Sequence, residues 1–197
     1  MAEFIRWGER IFFLVLSVGV IMRLAPQAFS HPQIPIFLAS ELVGVVMILA
    51  QRRGQWSTEF FPLLVAFIGT GAGLLVMPEG TRLISDTVAL WLALIGGVVS
   101  LSAKVFLGRS FGLVAANRGV KSGGIYRVVR HPMYLGYIIN QLGFLLVFFS
   151  PYNAAIYALV WTAFWMRTVE EEKFLRQDPA YVEYAGRVKY RLIPGLA

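Results

Sequence analysis

The sequence predicts an all-α fold: a polytopic integral membrane helical bundle of about six transmembrane helices, with five as the alternative count. Three observations predict it. Of 197 residues, 57% are hydrophobic and only 15% charged, where a soluble domain carries about a quarter charged residues. The apolar residues fall in long blocks rather than alternating with polar ones, and in lipid such blocks satisfy their backbone groups as helices. Lysines and arginines gather in alternate connections, as they do when one side of a membrane retains the basic loops.

The first span is read from Ile11 to Leu24, short of the roughly 20 residues a perpendicular helix needs unless Phe4–Arg10 extends it. Arg23 near its end can snorkel to the interface. No small-residue cleavage site follows this apolar run, so it is expected to stay as an anchor. Pro26, Pro32 and Pro35 punctuate the next connection. The second span, Ile34 to Ala50, carries Glu41 near its middle and ends at Gln51-Arg52-Arg53. A carboxyl at mid-span is costly in hydrocarbon and is by default a functional candidate; a pairing with Arg23 or a helix amide is the other reading.

The third span, Phe60 to Met77, contains Gly69 and Gly73, which allow close helix approach. The turn Met77-Pro78-Glu79-Gly80 leads to the fourth, Thr87 to Leu107, with Gly96, Gly97, Ser100 and Ser102 as a small-residue face. The longest polar connection follows, Gly108 to Arg130. Spans five (Met133 to Phe149) and six (Tyr152 to Met166) are separated only by Ser150-Pro151, which makes them an antiparallel hairpin. Asn140 and Gln141 in span five read as interhelical hydrogen bonders. Trp7, Trp56, Trp91, Trp161 and Trp165 fall mostly near span ends, as an interfacial belt does. The tail from Arg167 is charged and amphipathic. The chain thus divides into four N-terminal spans, 1–107, and a region 108–197 with the polar connection, the hairpin and the tail.

The formal charge of +7 is accounted for by basic loops on one side of the membrane, so no nucleic-acid partner is expected. The Lys104–Arg130 connection holds six cationic residues and the tail six more, against Arg82 and Arg23 on the other side. Six spans then put both termini, the long connection and the tail in the cytoplasm. With no cysteine there is no disulfide framework and no thiolate site. His31 and His131 are the only imidazoles, so no protein metal site is expected.

Chemistry concentrates in Gly124-Ile125-Tyr126-Arg127-Val128-Val129-Arg130-His131-Pro132-Met133-Tyr134-Leu135-Gly136, where the basic connection meets span five. Pro132 biases His131 away from helical backbone and suits the first turn of the following helix. The N–H groups of that helix end would then face a bound anionic group. At the end of span six, Arg167 and Glu171 are four residues apart and share one helix face. They read either as a surface ion pair worth about 0.3–0.5 kcal/mol or as functional groups beside the Glu170-Glu171-Glu172 run.

Together these segments form a pattern: Gly-x-Tyr-x-x-x-Arg-His-Pro-x-Tyr-x-Gly, a hairpin, Arg167 to Glu172, Tyr181 and Tyr184, and Ile193-Pro194. The pattern resembles the isoprenylcysteine carboxyl methyltransferase family, over roughly residues 105 to 195. The resemblance implies that 108–197 is a methyltransferase-type catalytic region with a cytoplasmic pocket for S-adenosylmethionine, released as S-adenosylhomocysteine. It implies cofactor contacts from Arg118, Gly119, Val120, Lys121, Tyr126, Arg130, His131, Pro132, Met133, Tyr134 and Glu171. It also implies that Arg167 and Glu171 are catalytic, with Arg167 facing the acceptor. The chain departs from the family pattern in the first segment, where a histidine and Leu-Val give way to Arg118 and Val120-Lys121. The implied partner is a lipophilic small molecule or lipidated group, within membrane lipid and without a metal. In a prokaryote the implied location is the inner (plasma) membrane.

The chemistry of these side chains suits that implication. Cationic and N–H donors around Arg130–Tyr134 match a carboxylate, and Glu171 can accept from an ammonium or hydroxyls. Tyr126 and Tyr134 offer ring faces to adenine or a sulfonium. Two rivals stay open: phospholipid N- or thiol S-methylation by the same machinery, and an NADPH-dependent sterol-type reductase, whose family shares a similar Arg-His-x-x-Tyr-x-Gly stretch. Pro132 and the glutamate run favour methyl transfer.

Overall fold

The computed structural model describes residues 2–30, 33–52, 54–56, 60–114 and 116–195. His31, Pro32 and Arg53 lie outside the described residues. The chain runs as α1 (Ala2–Leu24), α2 (Gln33–Leu49), β1 (Gln55–Trp56), α3 (Phe60–Gly71), α4 (Asp86–Leu107), β2 (Ala116–Asn117), α5 (Pro132–Val147), α6 (Pro151–Leu175) and α7 (Pro179–Arg187). The fold is all-α apart from β1 and β2, which pair antiparallel with Gln55 opposite Asn117. That small sheet was not anticipated, because two-residue strands carry too little alternation to register as a pattern.

Among the described residues, helices α1 to α6 overlap the segments read as spans, with altered ends. The first reaches back through Phe4–Arg10, so α1 has 23 residues and a length of about 34 Å. Among the described residues, 86–110 is the one segment long and apolar enough to cross a membrane by length and composition; 34–49, 60–75 and 132–147 are shorter apolar helices. Several helices carry their large apolar side chains outward. Ile11, Val15, Val18 and Met22 are exposed along α1, and Trp91, Ile95, Val98 and Val105 along α4, both at the spacing of one helix face.

The closest helix pair is α4 with α5, and glycine makes it possible. A Cβ on Gly136 would lie 2.5 Å from the Ser100 backbone nitrogen, and one on Gly96 would lie 2.7 Å from the Asn140 nitrogen and the Gly136 oxygen. Gly97 faces Ile36 on α2 instead. Gly69 packs on Phe164 and Ala163 of α6, whereas Gly73 has open space around its Cβ direction. The expected Gly69/Gly73 stripe is therefore half realised. The helix changes to a 3-10 turn at Ala72, and that change rotates Gly73 off the interface.

The α5–α6 joint is made as its residues suggest. Ser150 caps α6 by accepting from the Asn153 N–H at 3.1 Å, and Pro151 occupies the first turn. The fully buried Asn153 side chain then ties the joint to the Met77–Glu79 turn, donating to the Met77 carbonyl at 2.9 Å and accepting from the Met77 N–H at 3.0 Å. Gln141 accepts from the Trp161 indole at 2.9 Å, an α5–α6 hydrogen bond of the kind expected. Arg23 does not pair with Glu41. It donates instead to the Leu74 and Val76 carbonyls, at the end of the 3-10 turn that follows α3.

The tail folds back onto the Gly124–Gly136 stretch. The Arg130 N–H donates to the Tyr190 carbonyl and the His131 N–H to the Arg191 carbonyl, each at 2.9 Å. The Tyr184 hydroxyl donates to the Tyr126 carbonyl at 2.8 Å. Asp178 caps α7 through the Ala180 N–H at 2.9 Å and accepts from Asn117 Nδ2 at 2.8 Å. The long connection, α6 and the tail thus close around one end of the bundle.

Candidate active site

His131 is the residue before α5, with φ −127° and ψ 59°, and Pro132 occupies the helix's first turn. The X-Pro restriction and the missing proline N–H give that geometry directly. Pro132 sets the helix start and does not line the cavity beside it. That cavity encloses about 810 Å³ not filled by atoms, open solvent included, and its walls include Arg118, Gly119, Val120, Lys121, Tyr126, Arg130, His131, Met133, Tyr134 and Glu171. The segment 118–121, the motif and the α6 carboxylate thus meet in one cleft. Tyr181 and Tyr184 complete it from α7.

Two glutamates at the end of α6 divide the work. Glu172 is 1% exposed and is the hub of a cationic cage. Arg130 donates to it from Nε at 2.8 Å and Nη2 at 3.3 Å, and Arg191 from Nε at 3.2 Å. His131 Nε2 lies 3.2 Å from Glu172 Oε1. Burial alone would raise the Glu172 carboxyl, but the hydrogen bonds from His131 and Arg130 outweigh it and hold the group well below the usual carboxylate range. Arg130 Nη1 donates to the Val188 and Lys189 carbonyls at 2.8 and 2.7 Å. Most of its donors are therefore engaged in holding the tail to α6, where the sequence suggested a ligand carboxylate. The run of three glutamates concealed Glu172, because sequence alone does not say which of the three faces inward.

Glu171 faces the cleft. Its Oε1 accepts from the Tyr134 hydroxyl at 2.6 Å and from Arg167 Nε at 3.1 Å. Arg167 is 5% exposed, stacks over the Tyr134 ring at 5.2 Å and donates from Nη2 to the Leu113 and Gly112 carbonyls. Its Nη1 makes no hydrogen bond among the described residues and is not a sealed, orphaned atom. The i,i+4 pair is thus a buried wall element rather than a solvated surface pair.

Arg167 also lines a second cavity on the far side of Met133, Tyr134 and Gly112, which both cavities share as a wall. This second space, about 870 Å³ on the same measure, runs between α1, α2, α3, α5 and α6 past Phe13, Phe37, Phe164 and Tyr157. A third cavity continues it, sharing Val20, Phe37, Gly73, Leu74, Gln141 and Tyr157. A polar cleft and a mainly apolar channel therefore meet at the Tyr134–Arg167 level.

One organising residue was missed. Glu9 on α1 is fully buried and accepts from the Leu113 and Val114 N–H groups, the latter at 3.0 Å. Gln51 Nε2 donates to it at 3.2 Å and Arg118 Nη2 lies 3.8 Å away. Glu9 fixes the loop whose carbonyls hold Arg167, and it receives Arg118 from the polar segment. Desolvation pulls the Arg118 guanidinium below its ordinary value despite the neighbouring carboxylates. Nothing around Glu9 in sequence signals this, since Gln51 lies 42 residues away and Leu113 and Val114 lie 104 and 105 away.

The residues of the cleft suit an adenosyl sulfonium amino acid. Arg118 and Lys121 supply positive charge, Glu171 an acceptor, and Tyr126, Tyr134, Tyr181 and Tyr184 aromatic surface. The buried Tyr181 hydroxyl has no partner among the described residues and Tyr181 lines the cleft, so a polar ligand there would satisfy it. Burial raises the hydroxyls of Tyr126, Tyr181 and Tyr184, which keeps them as neutral hydrogen-bonding groups. Among the described residues no cluster of three metal-ligating side chains occurs.

The family model for phospholipid methyltransferase matches residues 84–178. The chain is similar to protein-S-isoprenylcysteine O-methyltransferase A of Arabidopsis thaliana, 35% identical over 103 residues that cover 48% of this chain and 52% of the relative. A probable protein-S-isoprenylcysteine O-methyltransferase of Oryza sativa subsp. indica is 36% identical over 109 residues, 51% of this chain and 57% of the relative. The Schizosaccharomyces pombe protein-S-isoprenylcysteine O-methyltransferase is 28% identical over 170 residues, 77% of this chain and 72% of the relative. Over the matched stretch the chain is similar both to protein-S-isoprenylcysteine O-methyltransferases and to the phospholipid methyltransferase model, in agreement with the resemblance in its motifs. It spans about half the length of the first curated relatives it matches, 52% for the Arabidopsis thaliana protein. Residues 84–178 take in both Gly124–Gly136 and Arg167–Glu172, the two segments that meet in the cleft.

Proposed function

We propose that this chain is an integral membrane methyltransferase that uses S-adenosylmethionine to methylate the carboxylate of a lipophilic acceptor. One observation carries the reading. Arg167 stands between a polar cleft and an apolar channel, with Nη1 uncommitted and the rest of its fork fixed by Glu171, Gly112 and Leu113. Bound in the cleft, S-adenosylmethionine supplies an electrophilic methyl group on a sulfonium. Arg118, Lys121, Tyr126, Met133, Tyr134 and Glu171 would hold it, with Gly119, Val120, Arg130 and His131 forming the rest of the wall.

The protein's own contribution is positioning. An acceptor carboxylate is already ionised and nucleophilic, so it requires orientation rather than a base. Arg167 Nη1 would donate to one oxygen of an acceptor carboxylate and leave the other unbonded on the side of the cleft. Glu171 fixes the Arg167 guanidinium from its other edge. Tyr134 packs under that guanidinium and keeps the two ligands in line, which is where effective molarity arises. The apolar channel excludes water and takes the lipid chain.

The membrane reading has six spans, α1 to α6, with the cleft, both termini and the basic connections in the cytoplasm. The exposed apolar faces of α1 and α4 support contact with lipid, and the distribution of lysine and arginine supports the sidedness. In this reading 1–107 supplies one side of the channel, α5 and α6 the other, and 108–197 the cofactor cleft. The match to a phospholipid methyltransferase model favours one second reading, N-methylation of a phospholipid amine, which would need a base as well as orientation.

The test is incubation of membranes holding the full chain with methyl-labelled donor, followed by mass spectrometry of lipid extracts and of added S-farnesylcysteine. Carboxyl methyl ester formation is the expected result. Label on a lipid amine would favour the second reading, and label in no lipophilic product would contradict both.

A further inference from the structure

The channel leading from Arg167 is not uniformly apolar. Glu41 of α2 lines it, yet the Glu41 carboxyl has no hydrogen bond and no ion pair within 4.0 Å among the described residues. Arg23, its expected partner, is engaged with the Leu74 and Val76 carbonyls. Lys104 is the cation that acts on Glu41 electrostatically, but its ammonium is bonded to the Ser40 carbonyl at 2.6 Å and the Ser40 hydroxyl at 2.9 Å. Ser17 of α1 lines the same space, is 2% exposed, and its hydroxyl has no partner among the described residues. The buried, orphaned Ser17 hydroxyl is costly unless something bonds it, and the partly buried Glu41 carboxyl lines the same cavity with no donor of its own.

Their level in the channel is fixed by helix geometry. Ser17 lies four residues beyond Phe13, which meets Phe111 at the Arg167 end with ring centroids 6.1 Å apart. Tyr137 likewise lies four residues beyond Met133. On α2, antiparallel to α1, Gly44 meets the Phe13 ring with its Cβ direction 3.0 Å from Cζ, while the Ile48 carbonyl accepts from Arg10. Glu41 lies three residues before Gly44, so the Glu41–Ser17 level is about one helical turn, roughly 6 Å, deeper than the transfer level. That distance is the reach of about five carbons of an extended chain. A plain hydrocarbon would leave both groups unbonded. A hydroxyl satisfies both, donating its proton to Glu41 and accepting from Ser17.

We infer that Glu41 and Ser17 form a second acceptor subsite, which selects a lipophilic acid carrying a hydroxyl about five carbons from the carboxylate to be methylated. The inference rests on the proposed function for the placement of that carboxylate at Arg167.

The test is binding to the full chain in detergent, with S-adenosylhomocysteine present, by titration calorimetry. The probes are hexadecanoic acid and its analogues with a hydroxyl on the fifth or on the twelfth carbon. The fifth-carbon analogue should bind at least about tenfold tighter than the other two. Glu41→Leu should close that gap, and Ser17→Ala, a smaller change, should narrow it several-fold. Equal affinity for all three acids, a gap that survives Glu41→Leu, or no binding of any of them would overturn the inference. Preference for the fifth-carbon acid that is indifferent to Arg167→Ala would uphold the subsite while removing Arg167 from the proposed function.

Discussion

Arg130 and Glu172, 42 residues apart, meet through two nitrogen–oxygen contacts of 2.8 and 3.3 Å in a buried pair that locks the motif segment to α6. Because Arg130 also holds the Val188 and Lys189 carbonyls, the same guanidinium recruits the tail. The candidate cofactor cleft is the space this closure encloses.

Glu172→Ala should therefore destabilise the cytoplasmic end by about 3–5 kcal/mol, because it leaves Arg130 buried without its counter-ion. Limited proteolysis should cut the tail near 188–192 in the variant and leave the parent intact at the same protease concentration.

The same pair sets an acid dependence. The folded-state pKa of Glu172 is depressed, so its stabilising contribution is full above the ordinary glutamate range, about pH 4.3. It is lost progressively as pH falls below that range toward the folded value. Unfolding in detergent should show stability dropping below about pH 4.5, and Glu172→Gln should flatten that slope while lowering stability at neutral pH.

Arg167→Ala should abolish turnover, by about a hundredfold or more, with affinity for S-adenosylhomocysteine within a few-fold of the parent. Arg167→Lys should not rescue it, since a single ammonium cannot reach Glu171, the Leu113 carbonyl and an acceptor together. Calorimetry and labelled-methyl transfer separate the two effects; loss of cofactor affinity in Arg167→Ala would move the residue into the cofactor cleft.

Glu171→Ala removes the acceptor from the cleft wall and the brace of Arg167. S-adenosylhomocysteine affinity should fall at least about tenfold, since a charge-assisted hydrogen bond is worth roughly 1.5–3 kcal/mol. Unchanged affinity would remove Glu171 from the cofactor site.

Gly136→Ala should be poorly tolerated. Its Cβ would sit 2.5 Å from the Ser100 nitrogen and 2.7 Å from the Gly96 oxygen, both backbone atoms that no rotamer change can move. Overpacking of this kind costs about 1–3 kcal/mol or more, and the melting temperature in detergent should fall accordingly. Gly73→Ala, with open space around it, should not lower it.

What the sequence revealed and what it hid follow from range. The helical segments, the Pro132 start of α5 and the tight Ser150-Pro151 joint are local in sequence and were legible there. The convergence of 118–121, the motif and Glu171 on one cleft came through the family resemblance, which holds long-range information that composition lacks. Glu9 and Glu172 were not legible as organisers, because burial of a charge depends on partners far along the chain. Arg130 was legible as important but not as a strut. Its two tail carbonyls are backbone atoms, which no side-chain pattern announces.

The most direct measurement of the central claim is calorimetric titration of the full chain in detergent with S-adenosylhomocysteine and, separately, with NADPH. Saturable binding of S-adenosylhomocysteine at micromolar or lower concentration, weakened by Glu171→Ala, with no heat from NADPH, is the predicted result. Binding of NADPH with none of S-adenosylhomocysteine, or of neither, would contradict the assignment of the cleft.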